Sequence, residues 1–264
     1  MVIKSYIYDV ATLLHHQIRQ KQLCMPTFQE NATTRFWSMG HLALLPSDGQ
    51  VRNPLCLARN MIVTGPNAAG KTTYVRSICG NILLSQSFGV AVATKAIVSP
   101  VHAIGSFMRV SDQVGKASLF DAEVRRCQDL IAMATSIAAQ QQRALFFLDE
   151  PMHSTPPTEG AATAIAVTEH LGRMPGIRVI STTHFHTMAL LEQKYPSLFM
   201  NVSMEARLQE NGEFKFPYRL CKGPSFQCIA LELLQSKHME PQVIQCAIEW
   251  KNKICQTQVV DDDS

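Results

Sequence analysis

Residues 61–72 read Met-Ile-Val-Thr-Gly-Pro-Asn-Ala-Ala-Gly-Lys-Thr, an apolar run followed at once by a loop bounded by two glycines. The apolar run predicts a buried strand, and apolar positions recur at helical spacing over residues 75–86. The loop fits the Walker A pattern G-x-x-x-x-G-K-[ST], in which backbone N–H groups and a helix N-terminus face phosphate. Strand, loop and helix in this order predict an ATP-binding P-loop.

The loop residues are assigned to the nucleotide by their chemistry. Lys71 is expected to contact the β- and γ-phosphates, and the Thr72 hydroxyl is expected to coordinate Mg²⁺. The alternative is a glycine turn that only packs a helix onto a strand. The predicted nucleotide-binding residues are Gly65, Pro66, Asn67, Ala68, Ala69, Gly70, Lys71, Thr72 and Thr73.

An acidic pair follows the continuous apolar run at 144–148. Carboxylates at the end of a buried strand are costly unless they have a role. Asp149 is therefore predicted to hold Mg²⁺, usually through water, and Glu150 to orient or deprotonate the attacking water. The alternative is that both carboxylates only cap the next loop.

One histidine follows the strand predicted at 177–181. In a P-loop ATPase this strand end lies beside the acidic strand, so His184 is predicted to sense the γ-phosphate as a second catalytic residue. His186 lacks that argument and is predicted to be an ordinary surface or helix residue.

Alternating strand and helix patterns predict an α/β fold with a mainly parallel sheet flanked by helices. Further helices are predicted at 120–138 and 159–171, and a hairpin is predicted to turn at Asn211-Gly212. Two helices, at about 225–236 and 240–254, close the chain.

Three segments are predicted along the chain. Residues 1–33 carry a helix over about 5–22 that should end near Met25-Pro26, as a docking arm or the end of a longer helical region. Residues 34–224 form the ATPase domain, and residues 225–264 form a helix pair with an acidic tail.

Composition excludes several classes of protein. The chain has 264 residues, 46% of them hydrophobic, which suffices for a sizeable core. A net charge of +3 is too small to argue for nucleic-acid binding by this chain itself. The eight cysteines form no C-x-x-C pair, and no signal peptide or apolar span is recognisable, so a soluble intracellular protein without membrane contact is expected.

Several motifs together resemble the MutS mismatch-repair family. The P-loop looks like the family's T-G-P-N-x-x-G-K-[ST], and Ser118-Leu119-Phe120-Asp121-Ala122-Glu123 looks like its S-T-F-x-x-E signature. Residues 148–160 match the spacing of its D-E-x-x-x-x-T-x-x-x-D-G segment, and Thr183-His184 match its T-H motif. Residues 216–225 resemble its F-x-Y-x-L-x-x-G strand and turn.

The resemblance implies a P-loop NTPase of the ABC-type ATPase class that uses ATP and Mg²⁺. Two such domains face each other, so Ser118 would contact the nucleotide of a second MutS-type subunit in trans, in a homodimer or a heterodimer. The C-terminal helix pair resembles the family's dimerisation element, with packing against the sheet edge as the alternative. DNA would be contacted mostly through a partner or other domains.

The chain also departs from the family pattern. Residues 151–157 read Pro-Met-His-Ser-Thr-Pro-Pro where the family is glycine-rich, Leu119 replaces a threonine, and residues 50–53 lack an aromatic for adenine stacking. The mismatch-reading domains have no room before residue 35, which leaves a fragment, a natural truncation or half of a split system. The leading hypothesis is a nucleotide-gated ATPase dimer in DNA mismatch repair or recombination, and the alternative is a non-catalytic nucleotide-dependent dimerisation module.

Overall fold

The computed structural model describes residue 12 and residues 15–44, 49–108, 119–210, 212–237 and 239–261. Its helices are α1 (Lys71–Phe88), α2 (Leu119–Ala139), α3 (Pro157–Arg173), α4 (Leu190–Lys194), α5 (Ala230–Ser236) and α6 (Pro241–Asp261), with 3₁₀ turns at Leu42–Leu44 and His186–Ala189. Its strands are β1 (Thr27–Phe28), β2 (Arg35–Met39), β3 (Asn53–Cys56), β4 (Asn60–Thr64), β5 (Lys95–Val98), β6 (Ala103–Phe107), β7 (Ala144–Asp149), β8 (Ile177–Thr183), β9 (Phe199–Met204), β10 (Arg207–Leu208), β11 (Phe214–Lys215) and β12 (Leu220–Lys222).

A six-stranded sheet in the order β12-β9-β4-β8-β7-β6 forms the centre of the fold. The β9-β4, β4-β8, β8-β7 and β7-β6 pairs are parallel, and β12 pairs with β9 antiparallel. Parallel strands end at a common edge, so the residues that follow β4, β7 and β8 meet there. The α/β class predicted from the sequence is confirmed.

Helices cover both faces of this sheet, which explains the continuous apolar run in β7. Leu145 and Phe147 pack in the core cluster that contains Val75, Ile78 and Ile82 of α1. Phe146 and Leu148 point to the opposite face and pack in the cluster that contains residues of α2 and α3. Because successive strand side chains alternate between faces, a strand buried on both sides is apolar at every position.

A second, mixed sheet in the order β1-β5-β2-β3 was not predicted. It joins β1, at Thr27–Phe28, to β5 in parallel, so the predicted boundary at residue 33 cuts through this sheet. Leu23 is buried with Val90 and Val92, and Cys24 forms a bridge with Ala91. Residues 15–19 are helical, and the helix ends before the predicted stop at Met25-Pro26, because the chain turns at residues 20–21 to make these contacts. The start of the predicted helix lies outside the described residues.

The C-terminal part differs from prediction in detail. The short antiparallel pair β10-β11 lies inside a wider antiparallel pair, β9-β12, rather than in one hairpin from 201 to 220. Asn211 of the predicted turn lies outside the described residues. Helix α5 begins at Ala230, five residues later than predicted, and it contacts α6. In the part of the chain that is described, no helix is long and apolar enough to cross a membrane.

Gly105 in β6 tests how tightly the sheet packs against α2. A Cβ at this position would lie 2.5 Å from two ring carbons of Phe146 and 2.9 Å from Leu130. We expect Gly105→Ala to lower the free energy of unfolding by about 1–3 kcal/mol, because the surrounding core must give way. Denaturant unfolding measures the change.

Gly80 provides the matched control for this substitution. It lies inside α1, and a Cβ there would meet nothing within 4 Å. Gly80→Ala should raise the free energy of unfolding by roughly 0.5–1 kcal/mol, since alanine loses less backbone entropy in a helix. Equal effects of the two substitutions would contradict the packing described for β6.

Candidate functional site

The loop between β4 and α1 depends on glycine at both ends. Gly65 has φ 142°, and a Cβ there would lie 2.0 Å from the carbonyl oxygen of Met204 on β9. Gly70 has φ 96° and is the N-cap of α1. It makes no side-chain capping hydrogen bond, so the N-terminus of the helix is left uncapped. Unsatisfied N–H groups of a first helical turn are a ready anion site. The predicted phosphate loop therefore has the backbone shape that its chemistry requires.

Lys71 lies at the centre of this loop and is only 4% exposed. Its Nζ donates to the carbonyl oxygen of Gly65 at 2.8 Å and to that of Pro66 at 3.2 Å. The same ammonium lies 3.6 Å from a carboxylate oxygen of Glu150. Lys71 and Glu150, which are far apart in sequence, are thus brought together as the two predicted roles require.

Asp149 joins three elements through one carboxylate oxygen. Its Oδ1 accepts a hydrogen bond from the Thr72 hydroxyl of α1 at 2.9 Å and from the Thr182 hydroxyl of β8 at 2.6 Å. The two residues predicted to hold Mg²⁺ are therefore in contact. Thr182 was missed from the sequence, although its place one residue before Thr183-His184 gave the signal, because β8 pairs Thr182 directly with Asp149.

The backbone after Asp149 is held in an uncommon conformation. Glu150 has φ 51° and Met152 has φ 61°, and neither is glycine. Such residues cost roughly 1–3 kcal/mol each and persist where the surroundings determine them. The Glu150 amide donates to the backbone oxygen of Thr182 at 3.1 Å, and Met152 is buried in the core. The backbone from which the Glu150 side chain projects is therefore held by its neighbours.

His184 lies at the same edge of the sheet, beyond β8. The ring keeps an exposed surface, yet the protein packed against its other side desolvates it and lowers the pKa of His184 below its ordinary 6.5. The Glu150 carboxylate opposes this shift, and the Lys71 ammonium adds to it. His184 is therefore within electrostatic reach of Glu150 and Lys71. His186 is half-buried in the 3₁₀ turn and packs edge-on against Phe226 at 5.4 Å.

A cavity of about 1010 Å³ opens beside the loop. Asn67, Lys71, Thr72, Asp149 and Glu150 line it, together with other residues that include Met39, His41, Gln50, Val51 and Tyr218. A cavity of this size is sufficient for a nucleotide. The loop, the open helix terminus and the Thr72–Asp149 pair fit a triphosphate with Mg²⁺, since glycine is needed where the backbone must come close.

Tyr218 is the second residue missed from the sequence. It is 46% exposed, and its ring would lie 3.0 Å from a Cβ placed on Gly70. Asn53 holds this segment: its amide donates to the Tyr218 carbonyl at 2.8 Å and accepts from the Leu220 amide at 2.8 Å. The chain thus supplies an aromatic ring to the cavity from the far end of the domain.

Ser118, predicted to act in trans, lies outside the described residues. Helix α2 begins immediately after it, at Leu119, and Phe120 in its first turn is 44% exposed. The role of Ser118 stays a prediction.

The fold and the site together define an α/β protein with a glycine loop at the carboxyl edge of its sheet. Residues 61–255 match the family model of MutS domain V. The chain belongs to the MutS family, as the sequence motifs predicted.

Three relatives show how much of the family's length is covered. The chain is 29% identical over 192 residues to the DNA mismatch repair protein MutS of Geobacillus sp. (strain WCH70), covering 72% of this chain and 21% of that protein. It is 28% identical over 233 residues to MutS of Rhodopirellula baltica, covering 85% and 25%. It is 32% identical over 192 residues to MutS of Sorangium cellulosum, covering 72% and 20%. The chain thus spans a quarter or less of these curated relatives.

The charges around His184 make a testable prediction. Glu150→Gln removes the charge that raises the pKa of His184, so this pKa should fall further, whereas Lys71→Ala should raise it. Proton NMR of the imidazole Cε1–H measures both shifts. Shifts of the same sign in the two variants would contradict the arrangement.

The lowered pKa of His184 also sets the sign of a stability effect. Because the folded state binds its proton less tightly than the unfolded state, the contribution of His184 to stability is complete above the ordinary pKa of about 6.5. It is lost as the pH falls from that value towards the lower, folded-state pKa. His184→Gln should flatten this part of the dependence of unfolding free energy on pH.

Proposed function

We propose that this chain is an ATP-binding and ATP-hydrolysing P-loop NTPase of the ABC-type class that acts in DNA mismatch repair or recombination as a nucleotide-gated dimer. The observation that carries the proposal is the meeting of Lys71, Thr72, Asp149 and Glu150 at one edge of the sheet. A cation, a hydroxyl, a metal-binding carboxylate and a second carboxylate are the groups that phosphoryl transfer to water requires.

Each of these residues has a distinct task in the proposed reaction. Lys71 would give up its contacts with the carbonyl oxygens of Gly65 and Pro66 and its ion pair with Glu150, and would bind phosphate oxygens instead. The Glu150 carboxylate would then be available to orient water. Thr72 and Asp149 would hold Mg²⁺, which supplies charge neutralisation on the phosphates when it is bound. Among the described residues no group of three or more His, Cys, Asp or Glu side chains could hold a metal. Phosphate oxygens and water would therefore complete the coordination.

Family membership and partial coverage support the wider role. The relatives are named DNA mismatch repair proteins, and this chain matches only a fifth to a quarter of their length. We therefore assign DNA contact mainly to other domains or to a partner. The second ATPase subunit would place its Ser118 at this nucleotide. Exposed apolar side chains on the C-terminal helices, among them Val243, Trp250 and Ile254, favour α5 and α6 as a dimerisation element.

ATP turnover by the purified chain tests the proposal. Lys71→Ala should abolish detectable ATP binding, because the buried ammonium is the main cation of the loop. Glu150→Gln should keep ATP binding and lower kcat by roughly 10²–10⁴-fold, the usual contribution of a general base. Steady-state phosphate release and equilibrium binding of a fluorescent ATP analogue measure the two effects. Turnover by Lys71→Ala at the unmutated rate would refute the site.

Tyr218, whose ring lies near Gly70 in the same cavity, provides a further prediction. If the purine stacks on this ring, Tyr218→Ala should weaken ATP binding by roughly tenfold, in line with about 1–3 kcal/mol for aromatic stacking on a base. Tyr218→Phe keeps the ring and is the matched control, which should bind ATP as the unmutated chain does. Equal loss in both variants would assign the contribution to the hydroxyl instead.

A second candidate is a non-catalytic module in which nucleotide only organises a dimer. The observation that favours it is the proline-bounded loop 151–157, whose Met152 is buried and held at positive φ. Nucleotide-dependent dimerisation without phosphate release, measured by light scattering on the unmutated chain with DNA present, would select this candidate over hydrolysis.

A further inference from the structure

Glu123, on the second turn of α2, is a fully buried carboxylate for which the ATPase proposal has no task. It is 0% exposed. An ionised carboxylate is held so deeply in a protein only when specific partners replace the lost water. Its field reaches along the helix: burial raises the pKa of Cys127 to about 11, and the Glu123 charge adds to that shift.

The partners of Glu123 come from the loop that follows Glu150. His153 Nδ1 lies 2.7 Å from Oε1, an ion-pair distance, although the two are not aligned as a hydrogen bond. The Ser154 amide donates to Oε2 at 3.4 Å, and the Ser154 hydroxyl makes a short hydrogen bond to the same oxygen. Both carboxylate oxygens are therefore engaged by two consecutive residues of one loop.

The same loop carries the uncommon backbone that directs Glu150. Glu150 and Met152 both have positive φ, and the Met152 carbonyl would lie 2.7 Å from a Cβ on Gly160, the third residue after the prolines. A strained conformation of this kind persists only when contacts on its far side hold it. Met152 supplies one such contact by burial in the core, and Glu123 supplies the next through His153 and Ser154.

We propose that Glu123 is a positioning residue that fixes loop 151–156, and through it the Glu150 carboxylate, relative to α2. The inference rests on the proposed hydrolysis at Glu150. It also connects two parts of the site, because the first turn of α2 follows directly on Ser118. A displacement of α2 would reach Glu150 through the Glu123 contacts as well as through the packing of α2 on β6 and β7.

Glu123→Gln tests this role, since it keeps the shape of the side chain and removes its charge. We expect kcat for ATP hydrolysis to fall by roughly 10–100-fold, as for displaced reacting groups, with KM changed less than about threefold. Asp129→Asn is the matched control, because it removes an exposed carboxylate from the same helix. It should leave kcat and KM unchanged. Equal kcat for Glu123→Gln and the unmutated chain would overturn the inference.

Substitutions at the two partners separate positioning from simple loss of stability. Ser154→Ala removes the short hydrogen bond from an exposed residue and should lower kcat in the same direction. His153→Gln should also lower kcat, whereas His153→Arg, which places a permanent cation opposite the buried carboxylate, should recover most of it. If kcat of His153→Arg were no higher than kcat of His153→Gln, an electrostatic contact between residue 153 and Glu123 would be excluded as the cause of the positioning.

Hydrogen exchange tests the contact without reference to ATP. Amides of residues 152–155 should exchange roughly tenfold faster in Glu123→Gln, because local opening of the loop then costs less free energy. Exchange equal to that of the unmutated chain would overturn the proposed tether. If the unmutated chain releases no phosphate, the proposed hydrolysis fails, and faster exchange would still establish the tether itself.

Discussion

The hydrogen bonds from Thr72 and Thr182 to a single oxygen of Asp149 determine how the rest of the site is arranged. They join the first turn of α1 to the ends of β7 and β8 in an environment where Asp149 is 4% exposed. A buried carboxylate that loses its donors has no water to replace them. The start of α1 is therefore fixed against the sheet edge. Lys71 and the open N-terminus of the helix are placed by the same contact.

The close approach of the glycine loop to the backbone of β9 is the second constraint on the site. Gly65 lies so near the Met204 carbonyl of β9 that no side chain fits between the loop and that strand. The loop is thereby held over the sheet, and Lys71 donates to two carbonyl oxygens of the loop itself. A loop held in this way would bind the proposed nucleotide without a large cost of ordering.

The sequence predicted those parts of the fold that local pattern determines. The run at 144–148 is a strand buried on both faces, and the P-loop, the acidic pair and His184 meet where parallel strands end. Contacts between segments that are distant in sequence could not be predicted from local pattern. Nothing near β1 signals that Thr27 pairs with Ile97, and nothing near Tyr218 signals that its ring reaches Gly70. Both depend on tertiary packing, which local propensity does not encode.

The loop after Glu150 shows why a composition-based argument was incomplete. Its prolines indicate stiffness, and composition alone suggests a stiff loop that is isolated from its neighbours. Yet stiffness and isolation are different properties. His153 and Ser154 replace part of a glycine-rich segment, and these are the residues that engage the buried carboxylate of α2. A stiff loop that is tied at a defined point transmits a displacement better than a flexible one.

The order of the strands bears on which subunit would use the start of α2. The P-loop follows β4, whereas α2 follows β6, three strand positions away in the order β4-β8-β7-β6. Strands in a sheet are spaced about 4.8 Å apart, which puts the two strand ends roughly 14 Å from each other. Helix α2 contacts β6 and β7, whereas the glycine loop follows β4. The separation of these strands favours the proposal that a second subunit, rather than the same chain, supplies Ser118 to the nucleotide.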